Sequence, residues 1–419
     1  MSLGFRLQQE FQFLRKSYAI LLSLLLLFLL SGLSVGLGVA YVSKERNSIA
    51  NLIELDQQER QYQRSQAIDY GGAAYESFYA VWNPPSPLAF AAIGQRDLNP
   101  TMLRIRALAL EGQIYETDSA NPEIALAGRF DYSFVVAYLL PLFIIFVLYD
   151  VVSSERESGR LGLLAVTAGR SIRFWAPRII FRGIGLFLAV IIPLWAGMVL
   201  EQVSVAVFFQ ASLSILFQVV IWSALVLAIA MRPWLKSDAI ASLTVGMWLL
   251  LTLLIPIVSK VYIENTVTGT QGFEVALLQR ETVNDAWDIP KKDTMDKFFA
   301  THPEWSNTEP ITQPFHWKWY YAFQQVGDET AAELAGQYRQ VMLERDRLTS
   351  RVAWISPAVA IQRQFQKLAH TDLRASLAFE DRIRDYHARI RKAYYPLLFN
   401  EVPFEQENLT RLPIPEFAP

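Results

Sequence analysis

The sequence predicts an all-α integral membrane protein: five transmembrane helices and two extracytoplasmic, mainly helical segments. Three observations predict it. Five apolar runs are long enough to cross a bilayer, arginine collects in the short loops between them, and the long polar segments carry helical periodicity. Composition agrees, because 52% hydrophobic residues, 19% charged residues and a mean hydropathy of +0.21 are too apolar for a soluble chain and too charged for one embedded throughout.

The chain opens with a cytoplasmic tail, residues 1–17, that carries Arg6, Arg15 and Lys16. The first run, 18–42, is leucine-rich from Leu21 to Leu30. A bilayer core about 30 Å thick needs roughly 20 apolar residues. This run exceeds that length, whereas the core of a cleaved signal has only about 7–15 residues, so it reads as an uncleaved signal-anchor. Residues 43–130 form the first extracytoplasmic segment. From Asn47 to Gln66, Glu, Gln and Arg alternate with Ile49, Leu52, Ile53 and Leu55, which extends the first helix out of the membrane before a Pro-rich loop at 83–87.

Residues 131–259 hold the other four runs, 134–152, 183–200, 203–231 and 239–259, with a cytoplasmic coupling loop at 153–182. Pro141, Pro193 and Pro256 fall in these runs, where neighbouring helices can satisfy the carbonyls that proline frees. Gln210 and Gln218 lie eight apart in the fourth run, a spacing read as roughly one face turned toward other helices, as interhelical glue or as the lining of a substrate path. Gly32 and Gly36 form a small-x-x-x-small pair that permits close helix approach, within this chain or across a dimer. Lys and Arg in the tail, in the loop after the second run (Arg156, Arg160, Arg170, Arg173, Arg178, Arg182) and in the loop after the fourth (Arg232, Lys236) all fall on one side if five spans alternate. The positive-inside rule makes that side cytoplasmic.

Residues 260–419 form the second extracytoplasmic domain. Helical composition runs from Glu329 to Arg351 and from Leu373 to Tyr395, where Phe379, Ile383, Tyr386 and Ile390 make one apolar face. Ser356-Pro357 separates the two and suits a new helix start. The aromatic run from Phe315 to Tyr321 reads as an interfacial belt, with a packed core or a ligand-stacking platform as alternatives.

Several chemistries are excluded. There is no cysteine, so no disulfide, thiolate nucleophile or cysteine-ligated metal. No G-x-x-x-x-G-K-[ST] loop is present, so any ATP that drives the protein is bound by another subunit. The four histidines, His302, His316, His370 and His387, lack a short ligand spacing and read as surface or core residues rather than a metal site. H-E-x-x-H and G-x-S-x-G are missing, so the chain is not expected to be an enzyme. No basic patch interleaved with aromatics points to nucleic acid.

The coupling loop carries the sharpest signal. Ser154-Glu155-Arg156-Glu157-Ser158-Gly159-Arg160-Leu161 gives an acidic first helical turn, followed by apolar Leu161, Leu164 and Val166. Such a short amphipathic element can lie on the membrane surface and offer its charges to a partner. Here the chain resembles the permease subunits of type-2 ABC transporters, in the subgroup with large extracytoplasmic helical insertions. Their second span ends in a pattern like E-R-E-x-G-T-L-x-x-L-L, which stands here as Glu155 to Leu164 with Arg160 where threonine is commoner. Leu139-Leu140-Pro141-Leu142, Ile355-Ser356-Pro357-Ala358 and Ala369-His370-Thr371-Asp372 extend the resemblance.

The resemblance implies that Glu155, Arg156, Glu157, Gly159, Arg160, Leu161 and Leu164 belong to an ATPase-coupling loop. It also implies a separate ABC ATP-binding subunit carrying ATP and Mg, a second permease subunit in a homo- or heterodimer, export of a substrate, and a place in the bacterial inner membrane. Relatives usually add a sixth span after the external domain, and that span is absent from the sequence as it stands. The competing expectation is a membrane-anchored structural or sensory protein whose external domain binds a partner.

Overall fold

The computed structural model describes residues 17–115, 130–160, 175–412 and 417. Among these the chain is helical apart from one two-stranded antiparallel ribbon, and five helices are long and apolar enough to cross a membrane. They are α1 (Tyr18–Gln66), α4 (Tyr132–Glu157), α5 (Ala176–Leu200), α6 (Val205–Ala230) and α7 (Ser237–Thr266).

Helix α1 runs unbroken for 49 residues, as the sequence predicts. At about 1.5 Å per residue it is roughly 70 Å long, more than twice a bilayer core. Its apolar half therefore packs with the spans, mainly α5, while its polar half rises into the domain above. The prolines are accommodated in two ways. A π-helical turn precedes Pro141 (Val135–Leu139) and another precedes Pro256 (Leu250–Leu254). Proline removes one i→i−4 bond and crowds the carbonyl four residues back, and a widened turn relieves both. Pro193 sits inside α5 without such a turn.

Helix α5 begins at Ala176, seven residues before the predicted span, so Arg178 and Arg182 are helical rather than loop residues. Their partners explain it: Arg178 pairs with Glu155 at 3.3 Å, and Arg182 donates to the Val147 carbonyl at 2.5 Å. At the opposite end of the bundle Arg46 pairs with Glu201 in the α5–α6 turn at 2.6 Å.

The polar domain draws on both long segments. From the first come α2 (Tyr70–Glu76), β1 (Tyr79–Trp82), β2 (Met102–Ile105) and α3 (Leu110–Tyr115). From the second come α8 (Gly272–Asp285), α9 (Lys291–Thr301), α10 (Trp317–Val352), α11 (Pro357–Leu368), α12 (Leu373–Phe399) and α13 (Gln406–Arg411). One core joins them: Tyr70, Tyr79 and Ile105 pack with Phe298, Phe323 and Tyr386. Sequence reading treated the segments separately and missed the ribbon, in which Tyr79 faces Ile105 and Trp82 faces Met102.

The predicted apolar face of α12 is correct, with Phe379, Ile383, Tyr386 and Ile390 all buried. Ser356 caps α11, accepting from the Val359 N–H at 3.4 Å, with Pro357 in the first turn. Helix α11 itself leaves the domain: Ala358, Ile361 and Phe365 join the core of the spans, and the Tyr138 hydroxyl donates to Gln362 at 3.3 Å. The aromatic run is a packed core rather than an interfacial belt. Trp319 and Tyr321 are buried, the Tyr321 hydroxyl bonds the Gly71 carbonyl at 3.0 Å, and Lys318 is buried beside Glu401. His387 is likewise a core residue, its Nε2 2.7 Å from the Leu108 carbonyl.

Candidate functional site

At the end of the bundle away from the polar domain, α4 breaks at Tyr149–Val152 and resumes as one short turn, Ser153–Glu157. Gly159 ends that turn at φ +74°, a left-handed conformation that terminates helices and strains any residue with a Cβ. The tripeptide Glu155-Arg156-Glu157 then reaches the ends of the three following spans.

Arg156 donates to the Arg232 carbonyl at 3.0 Å and also to the Leu235 carbonyl, both in the turn that follows α6. Carbonyls at and just beyond a helix end have no intrahelical partner, and here the Arg232 carbonyl takes only a long 3.4 Å bond from the Leu235 N–H, while a guanidinium supplies several donors at once. Glu157 accepts the Ser237 N–H at 2.6 Å, the first residue of α7, whose own preceding residue, Lys236, gives no side-chain cap. A carboxylate at a helix N-terminus satisfies an orphan donor and opposes the helix dipole. Ser153 and Ser237 hydroxyls lie 2.8 Å apart and close the same junction. Glu155 takes Arg160 at 2.8 Å on one oxygen and Arg178, from α5, at 3.3 Å on the other.

These seven predicted loop residues divide cleanly. Glu155, Arg156, Glu157, Gly159 and Arg160 come together at this junction, while Leu161 and Leu164 lie outside the described residues. The charges expected to be offered outward are engaged with this chain's own helices. Ser153 and Ser237 were missed by sequence reading; a hydroxyl opening a span just after a basic turn is the signal that could have found Ser237.

Inside the bundle the expectations separate. Gln218 is buried at 3% exposure, but Gln210 is exposed. Eight residues at about 100° each leave them roughly 80° apart on α6, at the two edges of one face, and only Gln218 is covered by the other helices. The Gln218 Nε2 and, one turn on, the Trp222 Nε1 are buried donors with no hydrogen-bond partner among the described residues. A Cβ at Gly32 or Gly36 would meet nothing within 4 Å among the described residues. The close contacts use Gly38, where a Cβ would stand 2.0 Å from the Phe90 carbonyl oxygen, and Gly197, where it would stand 2.7 Å from both Phe90 and Val35.

Residues 274–418 match a family described as a domain of unknown function (DUF3526), which spans the chain from α8 to the C-terminus. No curated protein and no solved structure matches the chain.

Proposed function

We propose that this chain is the membrane-spanning permease subunit of a type-2 ABC transporter of the bacterial inner membrane. It works as an exporter with a second permease subunit, and a separate subunit binds ATP and Mg. The observation that carries the reading is the junction at Glu155-Arg156-Glu157, where one turn grips α5, α6 and α7 while continuing α4. A displacement of that turn reaches four of the five spans directly. Mechanical coupling between a distant nucleotide site and a bundle needs such a shared element. The chain's lack of a phosphate-binding loop agrees, because hydrolysis then belongs to a partner. A second reading, a membrane-anchored sensory or structural protein, is favoured by the polar domain having its own core.

Purification in mild detergent distinguishes them. The first reading expects an ATP-hydrolysing protein to accompany the chain. Reversing Glu155 and Glu157 to lysine should release or uncouple it while membrane insertion is retained. Unchanged association and unchanged transport in that variant would refute the coupling role.

A further inference from the structure

We propose that the polar domain carries a binding site for an organic cation, a positively charged group on an apolar body, in a cavity of 810 Å³ between α3, α8, α10 and α12. Four aromatic rings line it, Tyr115, Phe273, Tyr338 and Phe379, together with the carboxylates Glu264 and Glu380. Tyr115 and Tyr338 meet edge to face at 5.6 Å, and Phe273 is 61% exposed. Aromatic faces attract cations through the ring quadrupole, more strongly as water is excluded.

Glu380 decides the sign of the charge. It accepts two long bonds, from the Tyr115 hydroxyl at 3.3 Å and from the Arg384 Nη1 at 3.5 Å, the latter an ion pair. Arg384 gives its two shorter bonds to Glu111, at 2.8 and 3.0 Å through Nε and Nη2, and divides Nη1 between Glu380 and Asp381. Burial pushes the Glu380 carboxyl above its usual range, although Arg384, the Tyr115 hydroxyl and Arg339 oppose the shift, so a further positive charge beside it is favourable. The cation in the wall, Arg345, gives Nε and Nη2 to the Val267 carbonyl at 3.2 and 2.9 Å. Glu264 contributes a second negative charge, 3.8 Å from the exposed Lys260. An anion would meet the carboxylates of Glu264 and Glu380. A neutral apolar molecule would bury Glu380 further and add no charge partner to its long contact with Arg384. An organic cation satisfies both the rings and the acid, and this site makes no use of the coupling junction.

The test uses the full chain in lipid nanodiscs and two ions of matched size and opposite charge, tetraphenylphosphonium and tetraphenylborate, with protein-free nanodiscs as background. The cation should bind saturably and the anion should not exceed background. Glu380→Gln should weaken the cation by about tenfold, the scale of one desolvated charge contact. Met342→Trp, which fills the cavity, and Glu264→Gln at the rim, which leaves the core untouched, should weaken it as well. Equal binding of the two ions, no saturable cation binding, or cation binding unchanged in all three variants would overturn the proposal.

Discussion

Replacing Arg96 by methionine isolates one buried charge. Arg96 joins Glu45 on α1 at 2.6 Å through Nη2 and 3.3 Å through Nε, and Nη2 also reaches the Asn83 carbonyl at 2.6 Å. Both side chains are only 4% exposed, so neither charge is screened by water. Methionine keeps much of the arginine's length but leaves the Glu45 carboxylate buried and alone. Breaking a buried pair from one side costs about 3–5 kcal/mol, whereas replacing both members by apolar residues of similar volume is about neutral. The single variant should therefore lose most of the stability that this contact between α1 and the polar domain provides. Arg96→Met with Glu45→Leu should regain most of the loss. The assay is denaturant unfolding in nanodiscs across the double-mutant cycle, where the coupling energy is the difference between the double and the summed singles. A single-variant loss below about 1 kcal/mol, the range of exposed pairs, would refute the argument from burial.

Asp328 gives a pH dependence. Burial pushes its carboxyl up to about 6 although Arg391 and the N–H groups of Leu110 and Glu111 oppose the shift. A folded pKa above the unfolded one favours the folded state at low pH, so this group's stabilisation is complete below about 4 and is lost as pH rises to about 6. Thermal unfolding of wild type against Asp328→Asn between those values should diverge by about 2–3 kcal/mol; parallel curves would contradict it. Gly38→Ala should prevent folding because its Cβ meets backbone, while Gly32→Ala and Gly36→Ala should leave the monomer's melting temperature unchanged. Gln218→Leu removes a buried unpartnered donor, so stability should hold or rise; a fall in transport without a fall in melting temperature would show that Gln218 lines the path.

The spans were legible because length and freedom from charge are local properties. So were the α1 extension, the cap at Ser356 and the buried face of α12, each written in a few consecutive residues. What escaped depends on distant partners. Arg178 and Arg182 looked like loop residues until Glu155 and the Val147 carbonyl supplied their bonds. The ribbon escaped because its strands have only four residues each. The two polar segments share a core only through contacts such as Tyr79 to Tyr394, 315 residues apart and bonded at 3.0 Å. At the junction the motif Glu155-Arg156-Glu157 was visible, but its targets were not: Arg156 reads backbone carbonyls, which have no sequence signature. Small-residue spacing singled out Gly32, yet only the position of Phe90 makes Gly38 the closely packed glycine.

The absence of cysteine makes any introduced one unique, which suits the most direct test of the coupling claim. Ser158 is exposed at the end of the junction turn, beside but outside the clamp. A benzophenone attached to Ser158→Cys and photolysed in native membranes should capture an ATP-hydrolysing protein from the cytoplasmic side. Capture of lipid alone, or labelling of that cysteine by an impermeant reagent from outside intact cells, would contradict it.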